Sequence, residues 1–189
     1  MTIPAIWKKI GKEYERSKSL RAEIGGRSSR ALTTAKRAIF ALHRGDQAQG
    51  VALLREVEES LAKCKQHFRA FPELEFEGTY KAAREEQAEA LLFFQYVTRG
   101  KLGTLPFAAT AETYLAGLSD ATGEISRYAL HEATRGNARA VEQALAAVTL
   151  AVEFMLSLDL TGYARTKFDQ AKKNLRSLEQ MQYEMSLRR

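Results

Sequence analysis

Only three prolines and one cysteine occur in the 189 residues, and no apolar run approaches the roughly 18 residues that a membrane-crossing helix needs. Scarce proline removes the usual helix breaker and argues against a strand-and-turn architecture. A lone thiol, Cys64, excludes an intrachain disulfide and points to a reducing compartment. The opening segment from Met1 to Lys9 lacks the apolar core of a secretory signal, so a cytoplasmic protein with no membrane partner is expected.

What is abundant is Ala, Leu, Glu, Lys, Arg and Gln, the residues that lose least on entering a helix. A hydrophobic fraction of 45% is enough for one soluble domain with a real core, and 1–189 is read as a single domain. The net charge of +6 is compatible with a phosphate-bearing partner, yet such an excess is common and decides little.

Apolar periodicity and punctuation divide the chain into helices. The first is predicted from about Ala5 to Leu42, bent or broken at Gly25-Gly26. His43-Arg44-Gly45-Asp46 reads as a stop and restart, with Gly as C-cap and Asp as the next N-cap. A second helix runs from Asp46 to about Ala70, its inner stripe being Val51, Leu54, Val57, Leu61, Cys64 and Phe68. Pro72 ends that stretch. The third, about Phe76 to Thr98, becomes apolar all round in its second half and is therefore central. Further helices are predicted from about Ala109 to Thr134, Ala138 to Ser157, and Thr161-Gly162 to nearly Arg189. Nothing reads as a strand, so the fold class is all-α, an antiparallel bundle of about six or seven helices.

Two acidic strings carry the chemistry. On a wheel of about 100 degrees per residue, Glu86 falls near the centre of the third helix's apolar sector and Glu89 at its edge, whereas Glu85 points to the polar side near Lys81. An ionised carboxylate facing a core is costly unless paired or metal-bound. On the fourth helix Asp120, Glu124, Arg127 and His131 form one stripe, opposite the packing face Leu115, Leu118, Ala121, Ile125 and Ala129. If these helices are neighbours, four carboxylates converge. Such a patch suits Mg²⁺, or Mn²⁺ in its place, which takes one or two carboxylates and keeps waters for exchange with substrate phosphates. Spacing alone favours a solvated face, with Glu124 paired to Arg127 and with Glu86 and Glu89 paired to basic residues of another helix, since charged helix faces are usual.

Arg30, Arg37 and Arg44 recur every seven residues, a line suited to successive phosphates, with Lys36 and His43 in the next row. A solvated face or a subunit contact would use the same line. Arg127, beside Glu124, is the better candidate for holding a scissile phosphate, or else a simple salt bridge. Neither His43 nor His131 is assigned a role, and Trp7 and the tyrosines are read as packing groups.

The strings extend beyond the carboxylates. Tyr114-Leu-Ala-Gly-Leu-Ser-Asp120-Ala-Thr-Gly-Glu124-Ile-Ser-Arg127, with Glu86-Gln-Ala-Glu89-Ala90-Leu-Leu-Phe and Ala35-Lys36-Arg37-Ala-Ile39-Phe40-Ala-Leu42-His43-Arg44 upstream, resembles the translin and TRAX family. The last helix matches too, in Gly162-Tyr163, Lys167, Leu175, Glu179, Tyr183 and Arg188. The resemblance implies an all-α subunit of a hollow, mostly octameric shell that binds single-stranded nucleic acid or short RNA on its inner surface. It also implies Mg²⁺-dependent endoribonuclease activity where the TRAX carboxylates are present, and Glu86, Glu89, Asp120 and Glu124 stand at those positions. By that criterion the chain is TRAX-like, of the compact archaeal or bacterial kind, and is expected to form a homo-oligomer with a site in every subunit. The segment from Tyr14 to Arg44 is longer than in animal TRAX, and the long insert between the acidic helices is absent. Glu86 is preferred to Glu85 because it aligns with Glu89-Ala90. A non-catalytic, translin-like binding scaffold is the alternative, and a helical interaction protein without a nucleic-acid role the third reading.

Overall fold

The computed structural model describes residues 3–187. Among them six α-helices follow one another without a strand: α1 (Ala5–His43), α2 (Gln47–Phe68), α3 (Gly78–Arg99), α4 (Ala111–Thr134), α5 (Ala138–Leu156) and α6 (Gly162–Ser186). None is long and apolar enough to cross a membrane. Arg188, one of the positions matched in the last helix, lies outside the described residues.

The boundaries follow from local chemistry. At the first turn Gly45 takes a φ of 80°, the left-handed conformation that L side chains resist, and Asp46 accepts a hydrogen bond from the Gln49 amide as N-cap. Asn137 caps α5 in the same way, through the Ala140 amide. Pro72 ends the second predicted helix, but it also starts a short 3-10 helix, Pro72–Phe76, that the periodicity does not reveal.

Two expectations fail. Helix α1 is uninterrupted through Gly25 and Gly26. Each glycine costs about 1 kcal/mol in a helix interior, but the fully buried Ile24 and Ser28 flank the pair and tie that turn to the rest of the molecule. Trp7, read as a packing group, is exposed, as are Ile6, Ile10 and Tyr14 along the same face of α1's outer end.

Helices α1, α2 and α3 pack together, α4, α5 and α6 pack together, and the α3–α4 contact joins the two sets. The core runs through both, with Leu42, Val57, Leu61, Phe93, Ile125, Val148, Met155 and Leu178 all fully buried. The inner half of α1 is buried, and so is the packing face read from the sequence for α4. Helix α3 is therefore central: it touches α1, α2 and α4.

Candidate functional site

The α3–α4 seam is set by small residues. A Cβ built on Gly117 would stand 2.5 Å from Ala88 Cβ and 2.9 Å from the Glu89 amide nitrogen, a distance no real side chain tolerates. Glycine thus lets α4 lie directly on α3, one turn before Asp120 and beside Glu89. Helix α6 is pinned to the other flank of α4 by buried hydroxyls. Ser119 donates to the Lys167 carbonyl at 2.6 Å, and Asn174 donates to Thr122 Oγ1 at 2.9 Å.

This packing opens a cleft of about 250 Å³ lined by Lys36, Ile39 and Phe40 from α1, Glu86 and Glu89 from α3, and Glu124 and Arg127 from α4. Glu86 faces it rather than Glu85, which accepts a hydrogen bond from the Tyr163 hydroxyl at 2.8 Å. Asp120, the fourth predicted ligand, does not line this cleft and is held instead by the Lys167 ammonium 2.5 Å away. Glu124 Oε2 lies 2.5 Å from His43 Nε2, within hydrogen-bond distance, and Arg127 lies 3.8 Å from the same oxygen. Among the described residues Glu86 has only a distant partner, Lys36 at 3.9 Å.

Glu89 has neither a hydrogen bond nor an ion pair among the described residues. Burial, and then the charges of Glu86, Asp120 and Glu124, push its carboxyl up to about 9. Glu86 is raised as well, by burial first, with Lys36 opposing and the charges of Asp120 and Glu124 adding to the rise. Asp120 and Glu124 thus act across the α3–α4 seam on both Glu86 and Glu89. On Lys167, burial lowers the ammonium's proton affinity, but the hydrogen bond and charge of Asp120, with Tyr163, overcome it and raise the pKa.

The donor set suits a hard divalent cation: carboxylate oxygens only, with one of them unmatched by any protein cation. The described residues hold no ready-made cage of three or more acidic, histidine or cysteine ligands. Lys167 and His43 instead occupy two of the carboxylates. Mg²⁺, which needs few protein ligands and keeps its waters, fits such a half-open patch better than an ion that demands a closed protein shell.

The basic residues divide. Lys36 and Arg127 line the cleft, the Arg127 guanidinium lying 5.1 Å from the centre of the Phe40 ring. Arg30, Arg37 and Arg44 are exposed on α1 and do not line it, and Arg44 donates to Gln49 at 3.0 Å. Both halves of the bland alternative are present in part, since Glu124 does meet Arg127 and Glu86 does meet Lys36. Glu89 is the exception.

Sequence reasoning gave no site role to His43 or Lys167. His43 is buried against Phe93, with ring centres 4.6 Å apart, and its Nδ1 has no partner. Its position one turn after Phe40 and two after Lys36, on the face that meets the acids, was the available signal. Lys167 lies one turn after Tyr163 on α6; its place among the residues that carry the family resemblance was the available signal.

The sequence matches the family model of the Translin family over residues 20–189. The chain belongs to the Translin family. Solved structures agree on the fold. Apo-NeC3PO superposes with a TM-score of 0.89 at 19% identity, covering 98% of this chain and 100% of that one. AfC3PO, solved alone and in complex with duplex RNA, superposes with a TM-score of 0.89 at 22% identity; 97% of this chain is covered in each case, against 98% and 97% of those chains. None of the curated proteins compared by sequence matches. The Translin-family match leaves out residues 1–19, among which are the exposed apolar residues of the outer end of α1.

Proposed function

We propose that this Translin-family chain is a TRAX-type, Mg²⁺-dependent endoribonuclease that hydrolyses phosphodiester bonds of single-stranded or short RNA. The observation that carries the reading is Glu89: a carboxyl group with neither hydrogen bond nor ion pair among the described residues, within the field of three other acidic side chains, in a cleft that also presents two cations. A purely structural role gives no reason to place it there.

Glu86, Glu89, Asp120 and Glu124 would hold the ion, with Mn²⁺ as an acceptable substitute. Bound there, it supplies Lewis acidity towards the phosphoryl oxygens and lowers the pKa of a bound water. The protein's own contribution is placement. Gly117 fixes the two acidic helices against each other, His43 orients Glu124, and Lys36 and Arg127 offer charge-assisted hydrogen bonds to the backbone of the strand. Contacts of this kind read phosphates rather than bases, so little sequence preference follows. Arg30, Arg37 and Arg44 would extend the track along α1. The AfC3PO complex with duplex RNA supports RNA as the ligand class.

The working form is a cytoplasmic homo-oligomer, an octamer by family likeness. The exposed apolar face of Ile6, Trp7, Ile10 and Tyr14 supports subunit contact, being the kind of surface that assembly covers.

The second reading, a non-catalytic RNA-binding scaffold, is favoured by the ion pairs that already satisfy Asp120 and Glu124. Labelled single-stranded and duplex RNA incubated with Mg²⁺ or with EDTA separates the two. The nuclease yields metal-dependent products, and Glu89→Ala and Asp120→Ala each abolish them while RNA binding persists. Cleavage unchanged in both variants would reject the site, and binding without products under any metal would leave the scaffold.

A further inference from the structure

Lys167 reaches the acidic patch from α6, and the function proposed above gives it no task. Its side chain is 16% exposed, its ammonium lies 2.5 Å from Asp120 Oδ2, and the Tyr163 ring centre is 5.4 Å from Nζ. The position is built. The Ser119 hydroxyl binds the Lys167 carbonyl itself, and the Asn174–Thr122 hydrogen bond fixes the helix two turns on.

The same ammonium also acts on Glu86 and Glu89. One protein cation therefore sits in the field of three of the four carboxylates, in the place where a divalent ion's charge is needed. While it stays on Asp120 it repels that ion and occupies one of its oxygens. A phosphodiester entering the cleft presents oxygens that compete with Asp120 for the ammonium. Lysine's four-carbon stem and point charge suit such a transfer, which a rigid guanidinium fork would resist.

We propose that Lys167 is a phosphate-binding residue which, without RNA, is latched on Asp120 and weakens the site's hold on a divalent cation. On RNA binding its Nζ moves to a non-bridging phosphate oxygen and Asp120 is released to the ion. The cation site thereby completes itself only over substrate. This rests on the nuclease reading.

The test is Mn²⁺ binding to the full-length protein without RNA, followed by electron paramagnetic resonance, beside RNA cleavage at saturating Mn²⁺. Lys167→Met should bind Mn²⁺ about tenfold tighter, as expected on removing a unit charge a few ångströms from the ion. It should also cleave at least about tenfold more slowly, two changes of opposite benefit that loss of structure would not produce together. Lys167→Gln, which keeps a hydrogen bond to Asp120 without the charge, serves if the methionine variant does not fold. Lys167→Arg should restore weak Mn²⁺ binding. Wild-type and Lys167→Met affinities that are equal, with binding lost in Glu89→Ala, overturn the latch and leave the nuclease reading intact. Absence of Glu89-dependent Mn²⁺ binding in every variant overturns both.

Discussion

Gly117 of α4 rests against Ala88 of α3 with no room for a methyl group between them. This contact sets the separation of the helices that carry Glu89 and Asp120, so packing and chemistry meet at one glycine. Gly117→Ala forces the helices apart or shifts their register. Overpacking of this kind costs about 1–3 kcal/mol, read by urea denaturation. Cleavage should fall further than the stability loss explains, and Ala88→Gly in the same background should recover part of both.

Glu89 makes the metal-free protein sensitive to alkali. Its carboxyl, ordinarily near 4.5, is pushed up to about 9 in the folded state. The folded state therefore holds more protons than the unfolded state between those values, and stability declines as pH rises through that window. Glu89→Gln, which stays neutral, should flatten the profile measured in EDTA. Its melting temperature should exceed the wild type's at pH 8.5 and not at pH 4, with about 2–4 °C for each kcal/mol relieved in a chain of this size. For the wild type, Mg²⁺ must displace that proton, so its affinity should rise with pH over the same range.

Arg127 and Lys36 project into the cleft without a tight ion pair. Each should contribute one phosphate contact. Replacing either by alanine should weaken single-stranded RNA binding alike for all sequences and reduce the slope of log K against log salt by about 0.7. Arg30→Ala, Arg37→Ala and Arg44→Ala test the extended track in the same titration, with equal loss at each if a strand follows α1.

His43 and Glu124 are joined across two helices at the rim of the core. His43→Ala leaves a gap beside Phe93 and strips Glu124 of its nearest partner, and together these should cost about 2–4 kcal/mol. A double-mutant cycle with Glu124→Gln isolates the pair. A coupling of about 1 kcal/mol or more identifies a real interaction, whereas additivity within about 0.5 kcal/mol means that only the cavity matters.

Much of this architecture is legible in one dimension because its causes are local. Gly45 and Asp46 end one helix and start the next through their own backbone preference and side chain, whatever surrounds them. The faces of α3 and α4 follow from a 3.6-residue period, which puts Glu86 and Glu89 on one side of their helix and Asp120 and Glu124 on one side of theirs. The short helix at Pro72 and the continuity of α1 through Gly25-Gly26 were not legible, since tertiary packing outweighs a weak local preference in both.

Helix type, helix limits and the acidic pairs were thus determined by the sequence itself, through capping, propensity and periodicity within a few residues. Only the tertiary structure decided that Lys167 meets Asp120 and His43 meets Glu124, partners 47 and 81 residues apart. Those meetings depend on how helices register against one another, and that register is set by the summed packing of Gly117, Ala88, Ser119 and their neighbours. No local rule contains it.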